Sequence, residues 1–362
     1  METLTKTPLY ACHMGLQARM VDYAGWEMPV MYSGILDEAR AVRQKAGIFD
    51  ISHMGRVRIS GDGATELLQR LTTNDVAVLN LSYAQYSLIT NPRGGIIDDI
   101  IVYREAPDSY LVVVNASNSG KDLAWITQNN QGGTSIDDLT NQTAMIAVQG
   151  PSAPGIISRL ARVHTNGLPA MSRFQFCIGS VVGVAVTFCR TGYTGEDGYE
   201  LIVPAGGAAA VWTALMNERA TPCGLGARDA LRIEAGYPLY GHEIDESTTP
   251  VEAGLMWAVK LDKGAFVGHD RIAAIRKDGS PRRLVGLTLP DRIQPRQGYT
   301  IYCDRDEIGI VTSGVFSPTR GHSLAMGYVD QYYARTGTAV TIAIRDKRCA
   351  ATVVPKKSLL ES

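Results

Sequence analysis

The chain has 362 residues, enough for two or three domains and a sizeable core. Apolar residues make up 45% and charged residues 20%, which excludes a disordered or low-complexity chain. A formal net charge of -1 gives no bulk electrostatic case for nucleic acid or an anionic membrane, and no run of about 18 apolar residues offers a membrane span.

The start, Met1-Glu2-Thr3-Leu4, shows no basic leader with an apolar stretch behind it. Six scattered cysteines without a Cys-x-x-Cys pair read as free, mostly buried thiols in a reducing compartment. A cytoplasmic location is expected from both. Apolar spacing predicts a helix from Ile35 to Ala46 with Gly47 as its C-cap, and a second through Ala64, Leu67, Leu68 and Leu71. Tyr83 to Thr90 and Ile96 to Tyr103 read as strands joined by the turn Asn91-Pro92-Arg93-Gly94-Gly95, a hairpin. Tyr110 to Val114 is a strand, Ser119 to Gln128 a helix, Met145 to Val148 a strand, and Ala153, Ile156, Ile157 and Leu160 mark a further helix. Val181 to Phe188 and Tyr199 to Val203 are expected as two strands, joined by the glycine-rich connection 191–198. Helices follow through Val211, Trp212 and Leu215, and over Ala227 to Ala235.

Lys277-Asp278-Gly279-Ser280-Pro281 reads as a polar linker. Beyond it, Leu284–Leu289, Tyr299–Tyr302, Ile308–Val311, Leu324–Val329, Ala339–Ile344 and Ala351–Val354 are short strands, the pattern of a small β barrel or sandwich. Before it, helices and strands mix without strict alternation, so the class expected is α+β.

The run Gly94-Gly95-Ile96-Ile97-Asp98-Asp99-Ile100-Ile101-Val102-Tyr103 carries the first chemical signal. In a strand, neighbouring side chains point to opposite faces, so Asp99, Ile101 and Tyr103 share one face and Asp98 and Ile100 the other. An unpaired buried carboxylate is costly or shifts its pKa, so the parity divides the labour: Asp99 faces a site together with an aromatic ring.

Glu200 opens a strand after Gly192, Gly195 and Gly198, glycines that permit positive φ and close approach to a ligand. Its carboxylate either accepts two parallel hydrogen bonds from a flat donor-donor edge or blunts a strand edge. Arg228, in Gly224-Leu225-Gly226-Ala227-Arg228-Asp229, either clamps a carboxylate or is a helix-surface arginine. Tyr83, Tyr86, Tyr103 and Tyr193 either line an aromatic pocket or pack ordinarily, and Trp26 and Trp257 read as core. There is no Gly-x-x-x-x-Gly-Lys-Ser/Thr loop, Gly224-Leu225-Gly226 lacks the third glycine of a dinucleotide fingerprint, and His242-Glu243 and Cys12-His13 lack further ligands, so no metal is expected.

Long motifs in fixed order complete the reading: Thr7-Pro8-Leu9-Tyr10, the stretch Met20 to Pro29, Phe49-Asp50-Ile51-Ser52-His53-Met54-Gly55, the Gly94 to Tyr103 run, Arg190 to Glu200, Gly224 to Asp229, Thr312-Ser313-Gly314 and Phe316-Ser317-Pro318-Thr319. Nearly end to end, the chain resembles the aminomethyltransferase (T-protein) family of the glycine cleavage system. The resemblance implies three domains arranged as a cloverleaf around a central folate channel. They would be residues 1–50 with 140–242, 51–139 with 243–278, and a C-terminal β barrel over 279–362. It implies transfer of the one-carbon unit from the aminomethyl-lipoyl arm of H-protein to tetrahydrofolate, with lipoylated H-protein and tetrahydrofolate as partners and neither nucleic acid nor membrane involved. On the same footing Glu200 anchors the pterin, Tyr86, Tyr103 and Tyr193 pack around the folate, Asp99 acts near the reacting nitrogens, and Arg228 stands in the site. The tail Val353-Val354-Pro355-Lys356-Lys357 departs from the family's usual ending and carries no site residue.

Two alternatives compete. One is a folate-dependent demethylase of a methylated amine or sulfonium donor on the same scaffold. The other is a non-catalytic folate-binding accessory protein. Relatives of the second kind carry Lys-Gly-Cys-Tyr, and here Lys263-Gly264-Ala265-Phe266 has alanine where the cysteine belongs. Arg40, Arg43 and Lys45, or Arg282 and Arg283, form either a basic docking patch or solvated surface charges.

Overall fold

The structure is a computed structural model and describes residues 3–163, 168, 171–290 and 292–360. The chain forms two compact units. The first comprises residues up to Leu68, Val76–Tyr86 and Ile100–Arg228; the second comprises Gln69–Asp75, Ser87–Asp99 and the chain from Asp229 onward.

In the first unit a seven-stranded sheet runs in the order Ala161–Val163, Phe176–Val181, Val184–Cys189, Gly198–Pro204, Thr143–Gln149, Gly47–Asp50, Thr221–Pro222. Strand alternation puts Ala144, Ile146 and Val148 on one face, where they join Tyr199, Leu201 and Val203 in one buried cluster. The helices Ala153–Leu160 and Ala208–Asn217 contribute Ile156, Ile157, Trp212 and Leu215 to that cluster. Each such side chain contributes about 1.5–3 kcal/mol by burial, so this layer fixes the sheet on which Glu200 rides. A three-stranded sheet, Thr5–Lys6, Trp26–Met31 and Arg19–Tyr23, lies in the same unit. A further five-stranded sheet has the order Ala84–Thr90, Ile96–Ala106, Ser109–Val114, Gly55–Ser60, Ser135–Asp138.

The second unit contains a closed six-stranded barrel ordered Arg282–Leu289, Ser323–Asp330, Asp306–Phe316, Thr300–Cys303, Ala339–Ile344, Lys347–Val354. It closes through Gly286 opposite Val354 and Thr288 opposite Thr352, which settles barrel over sandwich. Alternate residues such as Val285, Leu287 and Leu289 join Ile301, Val311 and Val353 in its core.

Several sequence expectations change. The helix expected to Ala46 is Ile35–Gln44, and Gly47 is no C-cap but the first residue of a strand. A Cβ at Gly47 would overlap Val42 and crowd Cys223 Sγ, so the glycine allows the strand to approach the helix. The strand expected over Val181 to Phe188 is two strands, broken at Val182 (φ 45°) and Gly183 (φ 82°). Two successive left-handed residues make a tight hairpin turn, with Val181 paired to Val184. The expected linker from Lys277 is helical to Asp278, inside the helix His269–Asp278. Trp257, read as core, is 58% exposed. No helix among the described residues is long and apolar enough to cross a membrane.

Candidate active site

The glycine-rich connection 191–198 is built around a buried amide. Gln149, fully buried, donates from Nε2 to the Thr191 carbonyl (3.1 Å), and its Oε1 accepts from Thr194 Oγ1 (3.0 Å). A Cβ on Gly192 or Gly198 would overlap Gln149. Of those two glycines, expected to make room for a ligand, Gly192 makes room for this side chain, and Gly198 chiefly for the Val148 carbonyl of the neighbouring strand. The acidic pair of the same motif is also structural. Arg190 holds Asp197 bidentately (3.1 and 2.7 Å), which keeps that carboxyl below the ordinary range. Arg43 donates to Glu196 Oε1 (2.9 Å) and to the Thr194 carbonyl (2.6 Å). Arg43 is thereby withdrawn from the basic patch considered for docking, since its side chain is only 7% exposed. Arg282 is likewise engaged, with Glu252 at 3.1 Å and the Tyr328 ring below it.

Glu200 leaves this pinned loop in the strand Gly198–Pro204, opposite Ala147 and Cys189. Thr191 Oγ1 donates to its Oε2 at 2.5 Å. Because the threonine proton goes to the carboxylate, the buried Tyr103 hydroxyl, 3.3 Å from Thr191 Oγ1, is the donor behind it. Burial first, then Cys189 and Glu200, push the Tyr103 phenol well above its ordinary range, so it remains a donor. The Tyr103 ring meets Phe176 edge-on at 5.7 Å. Tyr103 therefore supports Glu200 through Thr191, while the second oxygen of the half-buried Glu200 has no hydrogen bond among the described residues. Tyr86, in the strand Ala84–Thr90, is half-buried.

Arg228 stands in the first turn of the helix Leu225–Glu234. The approach to that helix is set by a buried carboxylate: Glu38 Oε2 accepts from Gly224 N (2.8 Å), and its Oε1 from the amides of Tyr32, Ser33 and Gly34 (2.6, 2.9 and 3.1 Å). Cβ atoms at Gly224 and Gly226 would run into Val30 and Ile35, so both glycines permit close packing. The Arg228 guanidinium lies 4.7 Å from the Tyr193 ring centroid, and its Nη1 is sealed from solvent without a hydrogen-bond partner. It is not a solvated surface arginine: it is half-buried with an unsatisfied donor. The first unit thus brings Glu200 together with Tyr103 through Thr191, and Arg228 together with Tyr193.

Asp99 belongs to the second unit and comes from the strand Ile96–Ala106. Asp98 is fully buried, whereas Asp99 is half-buried, the parity expected from alternation. The entry to the strand is locked: Asn91 Oδ1 accepts from Arg93 N (2.9 Å) and Gly95 N (3.1 Å), and its Nδ2 donates to the Glu246 carbonyl (3.0 Å). Ile96 N donates to the carbonyls of Asp245 (3.1 Å) and Thr248 (3.0 Å). Asp99 is thus presented from a rigid strand only three residues beyond a clamped turn.

Sequence reasoning gave no role to Thr191, Gln149 or Glu38. Thr191 carried a usable signal, since it precedes the first glycine of the motif; Gln149 and Glu38 act over long sequence separations. Among the described residues no group of three or more His, Cys, Asp or Glu side chains is placed to hold a metal ion.

Comparison with known proteins shows the family. The GCVT N-terminal domain family matches residues 9–263, and the glycine cleavage T-protein C-terminal barrel domain matches residues 282–358. An aminomethyltransferase of Desulforamulus reducens is 45% identical over 98% of both chains. One from Geobacillus kaustophilus is 43% identical over 97% of this chain and 98% of its own. The crystal structure of glycine cleavage system aminomethyltransferase T from Bartonella henselae superposes with a TM-score of 0.91 at 34% identity, covering 98% of each chain.

Proposed function

The chain belongs to the glycine cleavage T-protein family and is a folate-dependent aminomethyltransferase, and from that premise we propose how its residues divide the work. Lipoylated H-protein delivers the aminomethyl group, and tetrahydrofolate accepts its one-carbon unit. The products are 5,10-methylenetetrahydrofolate, ammonia and dihydrolipoyl H-protein. Glu200 anchors the pterin, whose ring NH and amino group form a donor-donor edge. Tyr193 and Tyr86 pack beside the folate, and Tyr103 backs Glu200. Asp99 stabilises the cationic methylene–nitrogen species that forms as ammonia leaves, and steers protons at the attacking amine. Arg228 offers a guanidinium to an acceptor group of substrate.

The observation that supports this reading best is the Glu200 carboxylate: Thr191 engages one oxygen, and the other has no hydrogen bond among the described residues. The six cysteines, none in a disulfide, support a cytoplasmic location. The same reading keeps the division into residues 1–50 with 140–242, 51–139 with 243–278, and 279–362.

The test is ammonia release from aminomethylated H-protein, with and without tetrahydrofolate, by the wild type and by Asp99→Asn. Folate-dependent release that falls at least a hundredfold in the variant is the expected result. A chain that binds tetrahydrofolate yet releases no ammonia in a folate-dependent way would return the demethylase and accessory-protein readings to the front.

A further inference from the structure

In the seven-stranded sheet of the first unit, Cys189 lies opposite both Phe176 and Glu200, and two residues away Thr187 lies opposite Ile178 and Ile202. Alternation puts all six on one face. In the five-stranded sheet Tyr103 and Arg58 both lie opposite Leu111, and Glu105 follows Tyr103 on the same face. The first layer between these faces is closed: Tyr103 meets Phe176 edge-on at 5.7 Å, and its hydroxyl reaches Thr191. The second layer is not. Between Leu111 and Leu139 on one side and Ile178, Thr187 and Ile202 on the other it leaves a cavity of about 210 Å³ that opens to solvent. Ile178, on its rim, is 71% exposed although it lies within a strand.

The cavity also carries charge. Val57 and Ile59 face the core, so Arg56 and Arg58 share the other face of the strand Gly55–Ser60. Arg56 is fully buried, and its N–H groups all go to uncharged oxygens: Nε to Thr143 Oγ1 (2.7 Å), Nη1 to the carbonyls of Ser52 (3.1 Å) and Met54, Nη2 to those of Thr140 and Thr143 (3.0 Å). Burial pulls its pKa down to about 10, against the opposing pull of Asp50 and Asp138, so the guanidinium stays charged. Neither of those carboxylates lines the cavity. Arg58 grips Glu105 with Nε and Nη2 (2.8 and 3.2 Å), while its Nη1 makes no hydrogen bond among the described residues. Glu105 is the extra residue of a β-bulge, between Arg104 opposite Tyr110 and Ala106 opposite Ser109, a device that re-aims a side chain. The lining thus sets two cations against one carboxylate, with a guanidinium edge to spare beside an apolar wall.

We propose that this cavity is a binding site, separate from the folate site, for a short-chain aliphatic monocarboxylate: the carboxylate takes Arg58 Nη1 at the rim, in the field of Arg56, and the alkyl tail lies against Leu111, Ile178 and Ile202. The volume sets the size, because drug-sized ligands fill about 300–1,000 Å³. The charges set the class. One carboxylate finds a free donor edge, and Glu105 repels a second. Neither Glu200 nor Arg228 lines the cavity, so the proposal stands apart from the division of labour in the transfer reaction.

The experiment is an NMR titration of the full-length protein, labelled at its isoleucine methyl groups, with sodium isocaproate. Ile178→Val and Ile202→Val assign the two signals that report on the cavity. Both signals are expected to move with one Kd of about 1 mM, in keeping with so small a ligand. Isocaproamide, which has the shape without the charge, should bind about tenfold more weakly, and so should isocaproate to Arg58→Gln. Thr187→Phe, which fills the cavity, should abolish the shifts, with Tm as the control for folding. Saturating tetrahydrofolate should leave the Kd within twofold. Methyl signals that do not move, an amide that binds as well as the acid, or an unchanged Kd in Arg58→Gln would each overturn the proposal. Competition by tetrahydrofolate would overturn it too, since it would place the acid in the folate site. If Arg58→Gln does not fold, Glu105→Gln decides: freed of its carboxylate partner, Arg58 should bind isocaproate severalfold more tightly, and an equal or weaker affinity would refute the site.

Discussion

Thr191 and Glu200, nine residues apart at the two ends of a glycine-rich connection, are joined by a 2.5 Å hydrogen bond from Thr191 Oγ1 to Glu200 Oε2. The bond fixes the carboxylate rotamer and leaves its other oxygen to accept. Hydrogen bonds to a charged group contribute about 1.5–3 kcal/mol, so their loss is visible in binding. Thr191→Val should weaken tetrahydrofolate binding about tenfold and lower Tm by a few degrees, because water can reach the half-buried carboxylate but the buried Tyr103 hydroxyl loses its acceptor. Glu200→Gln should weaken it about tenfold to a hundredfold, since the amide offers one acceptor where the carboxylate offered two. Equilibrium dialysis with tetrahydrofolate measures both; equal affinity in Glu200→Gln and wild type would remove Glu200 from the pterin site.

The loop that carries Thr191 depends on Gln149 fitting where Gly192 has no side chain. Gly192→Ala forces the buried amide out of place and breaks its bonds to Thr191 and Thr194. Overpacking of this kind costs about 1–3 kcal/mol. Tm should fall by several degrees, and tetrahydrofolate affinity should fall with it. In Gly192→Ala/Gln149→Ala the clash is gone, so the double variant should be more stable than the sum of the two single losses. Thermal melts of the four proteins decide the point, and strict additivity would show that the two residues do not meet.

Asp50 and His53 make the stability of the first unit sensitive to acid over two overlapping ranges that begin at different pH. Asp50 is buried; burial alone would raise its pKa, but hydrogen bonds from His13 (2.8 Å), Ser52 N (2.9 Å) and Thr7 (2.6 Å) outweigh this and bring it below the ordinary value. A carboxyl with a depressed folded pKa lends stability that is present above its unfolded value, near 4, and lost as pH falls through the folded one. His53, held at about 3 against an unfolded value near 6.5, behaves the same way over a higher range. The unfolded chain binds its proton first, so stability declines as pH falls from about 6.5 towards 3. Denaturant midpoints measured from pH 8 to 3 should therefore show two declines. His53→Gln should remove the upper one. Asp50→Asn should remove the lower one and destabilise the protein by about 3 kcal/mol at pH 7, the order expected when a buried pair is broken.

The sequence made the strands legible because their alternation is local, and it pointed to Asp99 and Glu200 as candidates because a carboxylate in or beside an apolar strand demands a reason. The parity of Asp98 and Asp99 follows from strand geometry alone. What escaped depends on partners far along the chain. Arg43 looks like a helix-surface charge until Glu196, 153 positions on, takes it. Gly47 looks like a helix stop until the packing of Val42 and Cys223 shows why no Cβ fits. Gln149 is an ordinary strand residue until the loop 191–198 wraps it. The break at Val182-Gly183 was hidden for a different reason: a β-branched residue with φ 45° runs against local preference and is held there by the hairpin on either side.

Gly95 provides the most direct test of how the second unit presents Asp99. A Cβ at Gly95 would overlap the Glu246 carbonyl and stand 2.8 Å from Asn91 Nδ2, the group that ties the turn to that carbonyl. Backbone cannot rotate away as a flexible side chain can, so Gly95→Ala must displace either the turn or the segment 245–248. Either shift breaks the bonds from Ile96 N to Asp245 and Thr248, and it moves a strand whose fourth residue is Asp99. Two variants then separate position from chemistry. Asp99→Asn should lower kcat while leaving Tm within a degree or two, because Asp99 is half-buried and the amide has the same shape. Gly95→Ala should lower both, with kcat falling about a hundredfold, the penalty usual for a catalytic group misplaced by about 1 Å. A Gly95→Ala enzyme with lowered Tm but wild-type kcat would show that the clamped turn serves stability alone and that something else holds Asp99 in register.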